Sequence, residues 1–335
     1  MKQLDPAWWQ WLAENRLLDA PVESIFAIMQ QQGFERETCE RAVAELDAHP
    51  VTRAARHHQL LQRKLESVVG NFQQVWQSAP GWETIEKRTT PSREEFLAGY
   101  VAGCRPVVLI DLAADWPARE RWQPLALGQR FAELPVEIQD SRESDPRFEE
   151  NKEAHRRTVR FGDFVDRIVA QGASNDCYLT ANNELLKRPE FGSLFDDVGS
   201  LPDYVDRKRL ATSSFFWIGP RGTRTPLHHD TVMLFHTQVV GRKRWRFVSP
   251  LDTANVYNYN GVFSRVDLDA IDLQRHPRMQ GVRVLDVVVE AGETIYLPLG
   301  WWHQVTALDV SVSLSFTCLD IKNDYRFQDP TMRHW

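Results

Sequence analysis

The segment TPLHHD, residues 225–230, carries two side chains that could bind a metal ion. His228 and Asp230 are two residues apart, so on an extended strand they project from the same face. An imidazole nitrogen beside a carboxylate oxygen supplies two of the three ligands in the facial triad of non-haem Fe(II) sites. His229 between them would point to the opposite face, where a packing or surface role is expected. The pair alone is a weak signal, so a third ligand from a distant segment is needed.

The segment GETIYLPLGWWH, residues 292–303, offers that third ligand. Its pattern predicts a strand over 293–297, a turn over 298–300 and a new strand that starts near His303. The result is a His/Asp/His set. Zinc is the alternative metal, but a structural zinc site normally takes four protein ligands, and the sequence suggests no fourth. Iron is therefore the predicted metal.

A lysine is predicted to lie in the interior of the protein. In GRKRWRF, residues 241–247, Lys243, Trp245 and Phe247 share one face of a strand and the arginines share the other. A buried ammonium is costly unless it is paired, and this strand contains no acidic residue. A ligand carboxylate is one candidate partner. 2-Oxoglutarate would suit, because its C1 carboxylate and keto oxygen can chelate iron while its C5 carboxylate stays free. The alternative is that Lys243 reaches solvent at the sheet edge.

The elements that must position these residues are mostly strands. From about Trp82 onward, apolar runs rich in Val, Ile, Phe and Thr are bounded by Gly, Pro and Asp, which is typical of strands. Helices are predicted around 92–102 and 161–170. Evenly spaced strands without alternating helices favour an antiparallel sandwich or barrel over a doubly wound sheet. The predicted strands are 106–112, 135–139, 214–218, 234–240, 244–248, 282–289 and 310–317.

The first 80 residues are predicted to be helical. Apolar residues recur at helical spacing, and Pro21 and Gly33 mark the ends of the second helix. A third helix is expected over 35–46, and the amphipathic stretch 51–78 is typical of a helix packed on a neighbour. The predicted organisation is a helical docking or dimerisation region over 1–80 and a larger domain over 81–335.

Composition restricts the function further. The 335 residues are 42% hydrophobic and 26% charged, which is ordinary for a soluble globular protein. A net charge of −6 argues against a general binder of nucleic-acid backbones, although it allows a local basic groove. The four cysteines form no CxxC pair, which indicates a reducing compartment. With no apolar run of signal-peptide or membrane-spanning length, the expected location is the cytoplasm.

Several motifs in a fixed order resemble the JmjC (cupin-like) branch of Fe(II)/2-oxoglutarate oxygenases. The similarity is greatest to its hydroxylase group, which includes the asparaginyl hydroxylase factor inhibiting HIF, and it extends from about residue 88 to residue 317. The resemblance implies a mainly β fold with flanking helices, a double-stranded β-helix (jelly roll) preceded by a small α-helical region. The motifs are RPVVL (105–109), DWP (115–117), YLT (178–180), IGP (218–220), TPLHHD (225–230), GRKRW (241–245) and PLGWWH (298–303).

The resemblance also implies residue roles. Fe(II), 2-oxoglutarate and O2 would be the cofactor and cosubstrates, with succinate and CO2 as products. Lys243 would pair with the C5 carboxylate of 2-oxoglutarate, helped by the hydroxyls of Thr225 and Tyr178. Trp302 would either pack beside the iron or serve the structure alone. The implied iron ligands, which are also the catalytic set, are His228, Asp230 and His303.

Two positions depart from the asparaginyl hydroxylase. Leu234 stands where that enzyme has an asparagine, and Ser315 is the expected equivalent of a second asparagine near the cosubstrate. Substrate identity therefore cannot be transferred. The favoured substrate is a protein or peptide side chain hydroxylated at carbon. The alternatives are N-methyl-lysine demethylation, a tRNA or small-molecule substrate, and a catalytically dead cupin-fold binding protein. A homodimer is the oligomer that the resemblance suggests.

Overall fold

The computed structural model describes residues 3–325 and separates the chain into two compact units at Val75/Trp76. This boundary lies a few residues before the predicted one at residue 80. Within the described residues, no helix combines the length and the apolar character that crossing a bilayer requires.

The N-terminal unit is helical and has its own small core. Asp5 caps the first helix, since its carboxylate accepts a hydrogen bond of 2.9 Å from the backbone N–H of Trp8. Ile25, Phe26 and Met29 are buried against residues of the neighbouring helices. The helices are α1 (Pro6–Leu17), α2 (Val22–Gln31), α3 (Arg36–Ala48) and α4 (Pro50–Gln77).

The apolar stripe of α4 differs from its prediction. Its spacing is typical of a helix packed on a neighbour, but Leu60, Leu61, Leu65 and Phe72 are all exposed, and that prediction is wrong for the chain as described. Periodicity shows that a helix has one apolar face. It cannot show whether the same chain covers that face.

The C-terminal unit is a jelly roll, which confirms the predicted fold class. Two six-stranded sheets have the orders β1-β2-β12-β7-β14-β5 and β11-β8-β13-β6-β10-β9, and consecutive strands from β5 to β8 alternate between them. All pairings in these sheets are antiparallel except β1 with β2. The strands are β1 (Glu86–Arg88), β2 (Val107–Leu109), β3 (Pro135–Gln139), β4 (Arg156–Arg160), β5 (Ser214–Gly219), β6 (Arg224–His228), β7 (Leu234–Val240), β8 (Lys243–Val248), β9 (Asn258–Asn260), β10 (Phe263–Ser264), β11 (Leu285–Val289), β12 (Thr294–Leu297), β13 (Trp302–Ala307) and β14 (Ser311–Phe316).

The helices of this unit are short, and its strands outnumber them. The predicted helix over 92–102 is one α-helical turn followed by a π-helical segment, Leu97–Val101, and the predicted helix over 161–170 is found as expected. Two predicted strands are shorter than expected, because 106–112 pairs only over β2 and 282–289 pairs only over β11. The helices are α5 (Arg93–Phe96), α6 (Ala118–Arg121), α7 (Pro124–Arg130), α8 (Lys152–His155) and α9 (Phe161–Ala170).

Apolar clusters lie on three levels of the jelly roll. One covers the outer face of the sheet that contains β7 and β14, where residues such as Phe235 and Leu314 pack on the helices. A second lies between the sheets and includes Trp245, Phe247 and Ile295. A third lies outside the sheet that contains β6, β8 and β13, under the long segment 249–284. The second cluster fixes the separation of the sheets, so polar side chains on the same inner faces occupy a defined chamber.

Candidate active site

The structure brings the three predicted metal ligands together. His228 and His303 are directly paired across β6 and β13, and their ring centroids are 4.2 Å apart. One atom from each of His228, Asp230 and His303 lies within 4.8 Å of the others, and His303 Nε2 is 3.7 Å from Asp230 Oδ2. One detail of the prediction is wrong: β6 ends at His228, so Asp230 enters the site from the loop after the strand.

Backbone carbonyls fix which ring nitrogen each histidine presents. His228 Nδ1 lies 2.8 Å from the carbonyl oxygen of Pro226, and His303 Nδ1 lies 2.9 Å from that of Trp301. A carbonyl only accepts, so each Nδ1 carries a hydrogen and each Nε2 keeps its lone pair. Metal-binding histidines are commonly oriented in this way. The donor set thus fits a divalent metal ion.

Burial sets the charge state of this set. It lowers the pKa of His303 well below its usual value, helped by the neighbouring His228, so the ring is a neutral donor. Burial also raises the pKa of Asp230, an effect that His228 opposes. The Asp230 side chain nevertheless keeps 34% of its surface exposed. The site is therefore open on the side of Asp230 and closed around His303.

A β-bulge places Thr225 on the same inner face as His228. Val305 pairs with Thr225 and His303 pairs with His228, so three steps along β6 match two steps along β13. His303 and Val305 share one face of β13, and paired residues share a face of the sheet. Both Thr225 and His228 therefore face the chamber, as their predicted roles require. A regular strand would have turned one of them outward.

Lys243 is buried in the chamber and does not reach the sheet edge. Only 2% of the residue is exposed. Its Nζ donates to the hydroxyl of Tyr178 at 3.2 Å and lies 3.5 Å from His236 Nε2. Across residues 3–325, no carboxylate comes within ion-pair distance of this ammonium. Burial lowers the pKa of Lys243 to about 7, which is the expected result for a cation that lacks an anionic partner.

The distance between Lys243 and the metal ligands suits a short dicarboxylate. Lys243 pairs with Ala307, four residues along β13 from His303. At about 3.3 Å per residue, the two ends are roughly 13 Å apart along the strand. The lysine and histidine side chains extend into that space, which leaves room for a molecule of a few carbons between the ammonium and the metal ligands.

Two further polar groups in the chamber were not predicted as site residues. His236 faces inward from β7, and burial together with Lys243 lowers its pKa well below the usual value, so it is neutral. Trp245 packs edge-on against His236 at 4.9 Å, and its buried indole N–H has no acceptor among the described atoms. An unsatisfied buried donor beside an unpaired ammonium indicates that the chamber receives an anion. The polar residues at period two in LFHTQVV were the available signal for His236.

Ser315 and Leu234 also line this region. Ser315 pairs with His236 across β14 and β7, and its Oγ accepts a 2.6 Å hydrogen bond from the indole of Trp217. The serine thus holds an aromatic wall of the chamber, since Trp217 lies 5.8 Å beneath the Lys243 ammonium. Leu234 pairs with Leu297 and packs against the apolar cluster between the sheets.

A fully buried arginine positions Tyr178. The Arg142 guanidinium lies 5.2 Å from the centre of the Tyr178 ring. It donates to Glu149 at 2.9 Å and to the carbonyl of Arg224 at 2.8 Å. These contacts hold the tyrosine hydroxyl toward Lys243. Sequence reasoning missed Arg142, because its partners lie up to 82 residues away.

Trp302 serves the structure on the outer face of the sheet that contains β6 and β13. It lies in the outer cluster, and its indole donates to Thr253 Oγ1 at 3.0 Å. His229 is buried against it, with ring centroids 4.6 Å apart. Of the two roles considered for Trp302, the purely structural one is supported by these contacts, and His229 is a packing histidine as predicted.

Comparison with known proteins identifies the family. Residues 92–317 match the model of the cupin-like domain, which is most of the C-terminal unit. This chain belongs to the cupin-like, JmjC family of 2-oxoglutarate oxygenases. All the chamber residues described above fall within the matched range.

JmjC relatives from several eukaryotes are similar to this chain. Lysine-specific demethylase JMJ30 of Arabidopsis thaliana is 34% identical over 245 residues, which is 69% of this chain and 54% of that protein. Lysine-specific demethylase 8 of Xenopus tropicalis is 29% identical over 69% of this chain and 52% of its own length. Jumonji C domain-containing protein 5 of Drosophila melanogaster is 30% identical over 69% of this chain and 59% of its own length. The chain thus spans just over half the length of these relatives.

Proposed function

We propose that this chain is an Fe(II)- and 2-oxoglutarate-dependent dioxygenase that hydroxylates a carbon of a protein or peptide side chain. One observation carries the proposal. A His/Asp/His set shares an interior chamber with a buried lysine for which residues 3–325 provide no carboxylate. Membership of the JmjC family supports the same activity.

The site residues form two groups, one that would bind the metal and one that would bind the far carboxylate of the cosubstrate. His228, Asp230 and His303 would bind Fe(II) and leave positions for 2-oxoglutarate and O2. Lys243 and the hydroxyls of Tyr178 and Thr225 would bind the C5 carboxylate. When bound, the metal and cosubstrate supply the oxidising chemistry, in which 2-oxoglutarate and O2 give succinate, CO2 and an oxygen atom for the substrate.

The chain itself contributes orientation and a dry chamber. The ammonium of Lys243 fixes one end of the cosubstrate, so the other end is directed toward the metal ligands. Trp217 and Trp245 restrict access of water to the chamber, which strengthens the interaction between Lys243 and a carboxylate. His236 stays neutral beside Lys243 and so does not repel it. These contacts would keep the reactive centre from oxidising the protein in place of the substrate.

N-methyl-lysine demethylation is the second candidate. Two of the similar proteins are named lysine-specific demethylases. The reaction would use the same chamber, because inserting oxygen into an N-methyl C–H bond gives a product that releases formaldehyde. The two candidates therefore differ in the substrate presented at the open side of the site, near Asp230.

Succinate formation tests the proposal. The protein is supplied with Fe(II), 2-oxoglutarate and a pool of cellular peptides, and succinate is measured with and without the peptides. We expect peptide-stimulated succinate that is absent in Asp230→Ala and His228→Ala and unchanged in His57→Ala, a matched change at an exposed histidine. Succinate that persists in both site variants would contradict the proposal. In the products, an added oxygen indicates hydroxylation, and loss of a methylene with formaldehyde indicates demethylation.

A further inference from the structure

Helix α4 carries an exposed apolar seam with the repeat of a coiled coil. Seven positions alternate in steps of three and four residues from 51 to 72, which is a 3.5-residue repeat over three heptads. Leu60 and Val69 are exposed as well and widen the apolar face on either side of these positions. The seam consists of Val51, Ala54, His58, Leu61, Leu65, Val68 and Phe72, all exposed.

The opposite face of α4 is already used within the N-terminal unit. Arg56 forms a 2.6 Å ion pair with Asp47 of α3, and Arg63 pairs with Asp19 in the turn after α1. Thr52 is buried on this same side. The helix is thus held by its polar face, which turns the seam away from the other helices of its unit. This reverses the usual arrangement, in which the apolar face is buried and the polar face is solvated.

The seam is large enough to be a binding surface. It is about 33 Å long, at 1.5 Å per residue. Its five large apolar side chains expose on the order of 400 Å², which is within the range of the largest apolar patches on monomers, and such patches are often functional. With the stems of the flanking residues, two such seams reach the roughly 1,200 Å² at which specific interfaces begin.

We infer that α4 pairs with α4 of a second copy of this chain to form a two-stranded coiled coil. A partner must present a helix with the same repeat, and the chain itself supplies one. Charge does not oppose the pairing, because Lys64 is the single ionic residue among the positions that flank the seam. Those positions are Ala55, His57, Gln62, Lys64, Val69 and Asn71.

Two adjacent leucines provide a matched test. Leu61 lies on the seam and Leu60 lies off it, yet their exposures are similar at 54% and 61%. The mass of the full chain is measured by sedimentation velocity over a range of concentrations, for the parent, Leu61→Glu and Leu60→Glu. We expect a dimeric parent, a dimeric Leu60→Glu, and a dissociation constant raised roughly 100-fold or more in Leu61→Glu, because a carboxylate enters an apolar seam from each copy.

Other outcomes overturn the inference. A parent that is monomeric at tens of micromolar would exclude a second copy as the occupant. Equal dissociation by both variants, or by neither, would exclude the seam as the interface. Helix content is checked by circular dichroism, and if Leu61→Glu loses helix, Leu65→Glu at the next seam position takes its place under the same criteria.

Discussion

Replacing Lys243 with methionine should stabilise the ligand-free protein while destroying its binding of 2-oxoglutarate. The ammonium is buried without an anionic partner among the described residues, and its pKa falls from 10.5 to about 7. Each pKa unit corresponds to 1.36 kcal/mol, so the buried cation costs on the order of 4 kcal/mol at pH 7. Methionine has a similar length and no charge. We therefore expect Lys243→Met to raise the free energy of unfolding at pH 7 by up to about 4 kcal/mol.

The size of this stabilisation depends on pH. Between pH 7 and 10.5 the unfolded chain binds more protons at this lysine than the folded chain does, so the parent gains stability as the pH rises. The advantage of Lys243→Met is then complete below pH 7 and shrinks toward pH 10. Urea unfolding at several pH values measures it, with Lys208→Met as a control that removes an exposed lysine.

The same variant should lose its ligand. A buried carboxylate left without its cation typically costs 3–5 kcal/mol, which is roughly a 100-fold to 5,000-fold loss of affinity. Calorimetric titration of 2-oxoglutarate in the presence of a redox-inert divalent metal measures the affinity directly. A Lys243→Met protein that is less stable than the parent at pH 7 and binds 2-oxoglutarate as well as the parent would refute the assigned role.

Three further predictions concern residues around the same chamber. Binding of 2-oxoglutarate to the parent should take up about 0.9 proton at pH 8 and about 0.1 at pH 6, because the carboxylate requires a charged Lys243 with a free pKa of about 7. Titration in two buffers of different ionisation enthalpy measures this proton uptake, and an absence of uptake at pH 8 would contradict the prediction. Trp245→Phe keeps an aromatic ring and removes the unpaired indole N–H, so the affinity for 2-oxoglutarate should fall roughly 10-fold in the same titration. An unchanged affinity would show that the indole N–H does not contact the anion. Gly241→Ala should lower the free energy of unfolding, measured by urea denaturation, by roughly 3 kcal/mol, since Gly241 has φ +74° and a Cβ would lie 2.3 Å from the carbonyl oxygen of Val310. An unchanged free energy of unfolding would mean that the β7–β8 turn adjusts freely.

Short-range sequence patterns could predict the site residues whose inward or outward orientation follows from their neighbours in sequence. The period of two in GRKRWRF placed Lys243 and Trp245 inside, and the structure buries both. The two histidine ligands sit on paired strands that turn signals had delimited. The pattern could not show that β6 ends at His228 or that a bulge turns Thr225 inward, because both depend on pairing with β13.

Other features depend on contacts between distant segments. Arg142 supports Tyr178 through partners from three parts of the chain, and nothing in its own segment marks it. The exposed seam of α4 is the reverse case. Its repeat was visible in the sequence, but only the structure shows that ion pairs on the opposite face hold the helix, so the seam has no cover within its unit.

The most direct test of the central claim is a spectroscopic titration without oxygen. Fe(II) is added to the purified protein, followed by 2-oxoglutarate, and the weak visible charge-transfer absorption of an iron–2-oxoglutarate chelate is recorded for the parent, His303→Ala and Lys243→Met. We expect the absorption to appear in the parent, to be absent in His303→Ala, and to require much higher 2-oxoglutarate in Lys243→Met. Iron binding without that absorption, or the same absorption in His303→Ala, would contradict the assignment of this chamber as the iron and 2-oxoglutarate site.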